Sequence, residues 1–193
     1  MKKLAILLAI LPLAACIRFG SEPPPSLLTL RPEASVPAGE MRSSANASTI
    51  TIAVPLAAQE VVYQRVPVRS SDTTLGYLKD AQWVESPARL FQRLLSDTVA
   101  ARTGRVVLSN RQSQLDPGAQ LMGELRAFGV EAATNEAVVI YDASLMRGEA
   151  AVFEKRRFEA RVPVSAIEPG PVGVALNRAA NQVAGEVADW VGR

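Results

Sequence analysis

A single cysteine offers the most specific chemistry in this sequence. Cys16 follows Leu13, Ala14 and Ala15 directly, and this spacing matches the lipobox that a lipoprotein signal peptidase recognises. We therefore predict that residues 1–15 are a signal peptide. After cleavage, Cys16 is expected to carry a diacylglyceryl group on its sulfur and a fatty acid such as palmitate on its new amine.

The residues before the lipobox support this prediction. Lys2 and Lys3 form a positive start, and residues 4–13 form an apolar run that is shorter than the roughly 20 residues of a membrane span. The alternative is an accidental cysteine beside an ordinary cleavage site. Cys16 is the only cysteine and cannot form an internal disulfide, so lipidation explains it best. Because two or more acyl chains anchor a protein stably, we expect a membrane anchor and no span.

Other catalytic chemistry has little support. The chain contains no histidine, which removes the usual general base, the common triads and most zinc sites. Two carboxylates could hydrolyse a glycosidic bond, or they could be solvated surface charges, which is the interpretation we favour. The candidate carboxylates in the loop-rich early region are Glu60, Asp72, Asp80 and Glu85. We predict that the protein is not an enzyme and binds no cofactor and no metal.

The charge balance excludes a further class of function. Loss of Lys2 and Lys3 with the signal peptide would leave 19 basic residues against 19 acidic ones. A chain without excess positive charge gives no support for nucleic-acid binding. Hydrophobic residues make up 48% of the sequence, which is enough for a well-packed core.

The domain organisation follows from composition. Residues 16–26 combine the lipidated cysteine with a tether containing Pro23–Pro25, a run that favours an extended conformation. Residues 27–193 are predicted to form one α+β domain, with a loop over residues 31–48. Apolar and β-branched runs predict strands at Leu27–Leu30, Thr49–Val54, Val61–Val68, Thr74–Leu78, Val106–Leu108, Leu121–Val130, Ala137–Met146 and Val152–Val164.

Two amphipathic helices complete the predicted fold. Ser86 suits the N-cap of the first helix, Pro87 its first turn and Gly104 its C-terminal end. The second helix opens near Pro169 and carries an apolar stripe rich in alanine. The last three strands have connections too short for crossover helices, so they should form an antiparallel meander. We expect a mixed, largely antiparallel sheet with both helices on one face.

Three residues are candidates for a partner surface. Trp83 could fill the core or present a partly exposed ring to a partner. Tyr63 and Val61 could lie on an exposed strand edge, and Pro67 in that run should stand at an edge or a strand end because it lacks an N–H. The basic cluster at residues 155–157 is expected to be a solvated turn or strand face.

Several motifs together resemble one known family. In order and spacing, the chain resembles the ABC-type transport auxiliary lipoproteins, the PqiC-like partners of MCE-domain lipid transport systems. The motifs that carry the resemblance are the lipobox, Leu27–Leu30, Ile52–Pro55, Gln82–Pro87 before a helix, Leu125 with Phe128, and the closing Ala/Val-rich helix.

The resemblance implies a non-catalytic docking subunit of a phospholipid transporter, with an MCE-domain protein as its partner. A homo-oligomer is left open. Ile17 after the cysteine is not aspartate, the residue that retains lipoproteins in the inner membrane in enteric bacteria, so the expected location is the periplasmic face of the outer membrane. The alternative is a lipoprotein regulator of a cell-wall synthase, although a tether of roughly 30 Å reaches poorly across the wall.

Overall fold

A computed structural model describes residues 26–116, 118–148 and 152–193. The predicted signal peptide, the predicted lipobox with Cys16, and the predicted tether up to residue 25 lie outside the described residues. Within the described ranges, no helix has both the length and the apolar character needed to cross a membrane. The same residues contain no group of three or more His, Cys, Asp or Glu side chains that could hold a metal ion.

The described part of the chain contains nine strands, three α-helices and a short 3-10 helix at Gln112–Gln114. The helices are α1 (Gln59–Val62), α2 (Pro87–Thr103) and α3 (Pro169–Val191). The strands are β1 (Ser26–Leu28), β2 (Thr49–Ile52), β3 (Leu56–Ala57), β4 (Arg65–Arg69), β5 (Leu75–Trp83), β6 (Val106–Leu108), β7 (Ala119–Glu131), β8 (Glu136–Met146) and β9 (Phe153–Pro163).

The long strand β7 organises the sheet. One of its edges pairs along its whole length with β8, which in turn pairs with β9, and both ladders are antiparallel. The predicted meander is therefore confirmed. Asn135 adopts a positive φ of 51° in the turn between β7 and β8, a conformation that asparagine tolerates better than most residues.

The other edge of β7 is shared by three short strands. Parallel partners β2, β3 and β4 lie beside the start, middle and end of β7 in that order. Strand β6 extends the sheet beyond β2, while β5 lies beyond β4 and β1 beyond β5. The sheet is thus mixed, and its longest ladders are antiparallel.

The strand predicted at Val61–Val68 is wrong in its first half. Ala57 pairs with Leu125 of β7, and Val68 pairs with Val130. The chain from Ala57 to Val68 therefore spans the same distance as the much shorter stretch of β7 between these two partners. Because a helix rises about 1.5 Å per residue and a strand about 3.3 Å, the surplus chain is taken up in the helical turn α1.

Pro67 also lies elsewhere than expected, because β4 is an interior strand with β5 and β7 as neighbours. The register of β4 against β5 shifts between Arg65 and Pro67. The proline is therefore accommodated beside an irregularity in the ladder instead of at a sheet edge.

Helix α2 matches its sequence prediction. Pro87 lies in its first turn, and Gly104 ends it in the left-handed conformation with φ 72°. Ser86 occupies the N-cap position, although its side chain makes no capping hydrogen bond. The buried apolar residues of α2 lie on the predicted face and include Leu90, Phe91, Leu94, Leu95 and Val99.

Helix α3 packs beside α2 over the same face of the sheet. Its contact stripe consists largely of small residues, such as Ala179, Ala180 and Ala184, all fully buried, so the helix approaches its neighbours closely. At the surface, Arg102 Nη2 of α2 lies 2.7 Å from Asp189 Oδ1 of α3. The predicted α+β architecture, with two helices on one face, is confirmed.

The segment between β1 and β2 is the predicted loop, and part of it is fixed across α3. Asn177 Oδ1 accepts a hydrogen bond from the Arg31 N–H, at 2.8 Å. Asn181 accepts from the Glu33 N–H and donates to the Arg31 carbonyl, at 2.8 and 2.9 Å. Two asparagines one helical turn apart therefore provide hydrogen-bond partners for backbone N–H and carbonyl groups that have no strand partner.

Replacing Asn181 with alanine should loosen this segment. The change leaves the Glu33 N–H and the Arg31 carbonyl without their side-chain partner, so we expect the free energy of unfolding to fall by about 1–2 kcal/mol. Urea denaturation of the folded domain measures it. Asn177→Ala is the matched control, because Asn177 supports only one exposed backbone group, and its effect should be smaller. Equal effects for the two variants would contradict this account.

Candidate docking surface

Trp83 lies in the core and not at a surface. It is the last residue of β5, only 1% exposed, and its ring packs edge-on against Phe128 with centroids 5.3 Å apart. Phe91 of α2 continues this aromatic cluster from Phe128 to Tyr141. The prediction of a partner surface at Trp83 is therefore wrong, and its other interpretation, as a core residue, is the one that the structure adopts.

Val61 is likewise buried, because α1 turns its side chain into the core, where it is 0% exposed. The prediction that Val61 lies on an exposed strand edge is wrong, because this residue belongs to the helical turn α1 and not to a strand. Tyr63 differs from both. It follows α1 directly and is 53% exposed, and its hydroxyl accepts a hydrogen bond from Gln59 Nε2 at 3.2 Å. Of the three sequence candidates, only Tyr63 is available to a partner.

Three further apolar residues close to Tyr63 in the sequence are also exposed, which the sequence analysis missed. Val54, Leu56 and Val62 are 50%, 75% and 45% exposed, and with Tyr63 they fall in one short segment alongside β7. We call these four residues the 54–63 patch. The sequence analysis placed Val54 and Val62 in predicted strands, where alternate side chains face outward. It gave no sign that all four residues would be exposed.

Three of the four candidate carboxylates lie within ion-pair distance of a basic side chain. Glu60 accepts two hydrogen bonds from Arg69 Nη2, both at 2.9 Å, and Glu85 is paired with Arg93. The hydrogen bond from Arg93 lowers the pKa of Glu85, whereas a general acid needs a raised pKa. Asp72 is exposed, and Asp80 lies 3.9 Å from Lys79 at the surface.

The basic cluster at residues 155–157 is a solvated strand face, as expected. All three residues are exposed on β9. Arg157 Nε and Nη2 donate to the two carboxylate oxygens of Asp142 on β8 at 2.6 and 2.7 Å. These bonds lower the pKa of Asp142. The guanidinium of Arg156 lies 4.8 Å from the centre of the Phe158 ring.

Comparison with protein families gives one decisive match. Residues 28–188 match the model of the ABC-type transport auxiliary lipoprotein component family. The chain belongs to this family. The sequence resemblance is thereby confirmed, and the matched range begins at Leu28, in β1, and ends three residues before the end of α3. Curated proteins give no match.

Solved structures share the fold of this ABC-type transport auxiliary lipoprotein. Protein XCC0632 from Xanthomonas campestris, of the DUF330 family, is 20% identical, with a TM-score of 0.66 over 86% of this chain and 93% of its own. An uncharacterized protein is 13% identical, with a TM-score of 0.63 over 75% of this chain and 93% of its own. Family membership associates the chain with an ABC-type transport system and with the lipoproteins of the cell envelope.

Proposed function

We propose that this lipoprotein is a docking subunit of an MCE-associated phospholipid transporter, anchored by Cys16 at the periplasmic face of the outer membrane. The observation that carries the proposal is the family match over residues 28–188, preceded in the sequence by a complete lipobox. Ile17 after the cysteine supports the outer membrane. The partner is an MCE-domain protein, and no bound cofactor is required.

A docking role needs a surface that a partner can cover, and the 54–63 patch is the best candidate for it. Large apolar and aromatic side chains dominate the energetics of protein interfaces when they become fully buried. Tyr63 offers a ring with a polar hydroxyl, and Leu56 is the most exposed member of the patch.

Co-purification tests the proposal. The lipidated protein, solubilised in detergent, should retain the MCE-domain protein encoded with its transport system. Tyr63→Asp should weaken the association by about 2 kcal/mol, or roughly thirtyfold in affinity, because it places a charge in an apolar contact. Leu115→Asp is the matched control, since Leu115 is 90% exposed outside the patch. No association of the native protein, together with unchanged lipid transport after gene deletion, would refute the proposal.

The proposed role is non-catalytic, and this has its own test. Glu60→Gln and Glu85→Gln each remove a carboxylate that sequence reasoning raised as a catalytic group. We expect both variants to complement a deletion strain as well as the native protein does, because these groups form ion pairs in the fold. Measured outer-membrane permeability to a detergent is a suitable readout. Loss of function in a variant that folds normally would instead indicate catalysis.

A further inference from the structure

A groove lies between β1 and the first turns of α3, next to the point where the described chain begins. Leu27 and Leu28 line one side and Gly173 and Val174 the other, around a volume of about 410 Å³. A Cβ added at Gly173 would lie 2.9 Å from Leu28 Cδ2, so the glycine permits the helix to approach the strand this closely. The groove is therefore a built feature of the contact between β1 and α3.

The rim of this groove is apolar and basic. Leu27 and Val174 are 58% and 57% exposed, which is unusual for two large apolar side chains facing one groove. Arg31 and Arg178 also line it and are exposed. In the described ranges, neither guanidinium has a carboxylate oxygen within ion-pair distance. Glu33 is the one acidic residue of the lining.

The position of the groove in the chain limits what can cover it. Residues 17–25 separate the predicted lipid attachment at Cys16 from Ser26, the first residue of β1. Even fully extended, these residues reach only about 30 Å. The edge of the domain that carries Leu27 is thus held near the bilayer. Apolar side chains with arginines beside them are the composition that favours contact with the boundary between headgroups and acyl chains.

We propose that Leu27, Val174, Arg31 and Arg178 form a second membrane contact, in which the two apolar side chains enter the headgroup region and the arginines bind lipid phosphates. This contact rests on the proposed lipid anchor. It goes beyond that anchor because it fixes the orientation of the domain: β1 and the N-terminal half of α3 face the bilayer, whereas β6, at the far end of the strand order, faces away.

An environment-sensitive fluorophore tests this orientation. The full-length lipidated protein carrying Val174→Cys is labelled with NBD, since the sulfur of Cys16 is blocked by lipid. It is then reconstituted into vesicles of phosphatidylethanolamine and phosphatidylglycerol. We expect a blue shift of emission and loss of quenching by aqueous iodide, relative to the same labelled variant prepared without its lipid and kept in buffer. Leu115→Cys, in the segment between β6 and β7, is the matched control and should show neither change.

A charge variant separates this contact from the anchor. Arg178→Glu in the labelled Val174→Cys protein should reverse the blue shift, whereas Arg111→Glu, an exposed arginine outside the groove, should leave it unchanged. If the protein floats with the vesicles but position 174 stays in water, the proposed contact is refuted and the anchor stands. If the protein does not float, the anchor fails and the contact fails with it. A blue shift without co-purification of an MCE-domain protein would support the contact while counting against the docking role.

Discussion

Replacing Trp83 with alanine is expected to lower the free energy of unfolding by about 3–5 kcal/mol, the usual loss when a buried large aromatic is truncated. The indole is 1% exposed and packs against Phe128 at 5.3 Å, so the change opens a cavity beneath α2. For a chain of this length, the midpoint of thermal unfolding should fall by roughly 10 °C. Circular dichroism of the soluble, unlipidated form during heating measures both quantities.

Two further variants test whether Trp83 acts through packing alone. Trp83 Nε1 has no hydrogen-bond partner within the described residues, so Trp83→Phe loses volume but no hydrogen bond and should be clearly milder than alanine. Tyr63→Ala, at an exposed position, should change stability by no more than about 0.5 kcal/mol. An alanine variant of Trp83 that is as stable as the native protein would show that this aromatic cluster does not hold the core together.

Replacing Cys16 with serine is expected to abolish lipidation and attachment to the outer membrane, because the hydroxyl does not accept the diacylglyceryl group that precedes cleavage. Cells grown with labelled palmitate should incorporate none into the variant, and deletion strains carrying it should behave as if the gene were absent. The physical reason is that this one residue carries all of the expected acyl chains, on its sulfur and on its amine. Among the described residues, no helix is long and apolar enough to cross a membrane.

The control for this experiment is Ser21→Ala, a change in the tether that leaves the lipobox intact. It should be labelled and localised like the native protein. The folded domain of Cys16→Ser should unfold at the same denaturant concentration as the native domain, which separates loss of anchoring from loss of folding. Labelled fatty acid on the serine variant would refute the lipobox assignment.

Local signals predicted those parts of the fold that local interactions determine. Helix α2 has a proline in its first turn, an apolar face at helical spacing and Gly104 at its end, and the structure places its boundaries accordingly. The hairpin between β7 and β8 turns at Asn135, a residue suited to positive φ. These features depend on neighbouring residues, which is why the sequence is sufficient to find them.

The missed features depend on distant parts of the chain. Val61 enters a helical turn because β3 and β4 must both pair with β7, and that constraint comes from residues 124–131. The apolar neighbours of Val61 favour a strand when they are considered alone. The burial of Trp83 likewise depends on Phe128 and Phe91, which come from other elements. Exposure of the 54–63 patch follows from the same long-range path and could not be predicted from composition.

The asparagine contacts across α3 have a mechanical consequence. Any force transmitted along the tether enters the fold at Ser26 and would load β1, which is only three residues long and held mainly by its ladder with β5 and by Val84 N–H donating to the Leu28 carbonyl. If β1 separates from β5, the hydrogen bonds of Asn177 and Asn181 still hold Arg31 and Glu33 against α3. A force applied at the membrane end of the chain would therefore act on α3 before it acted on the aromatic cluster around Phe128.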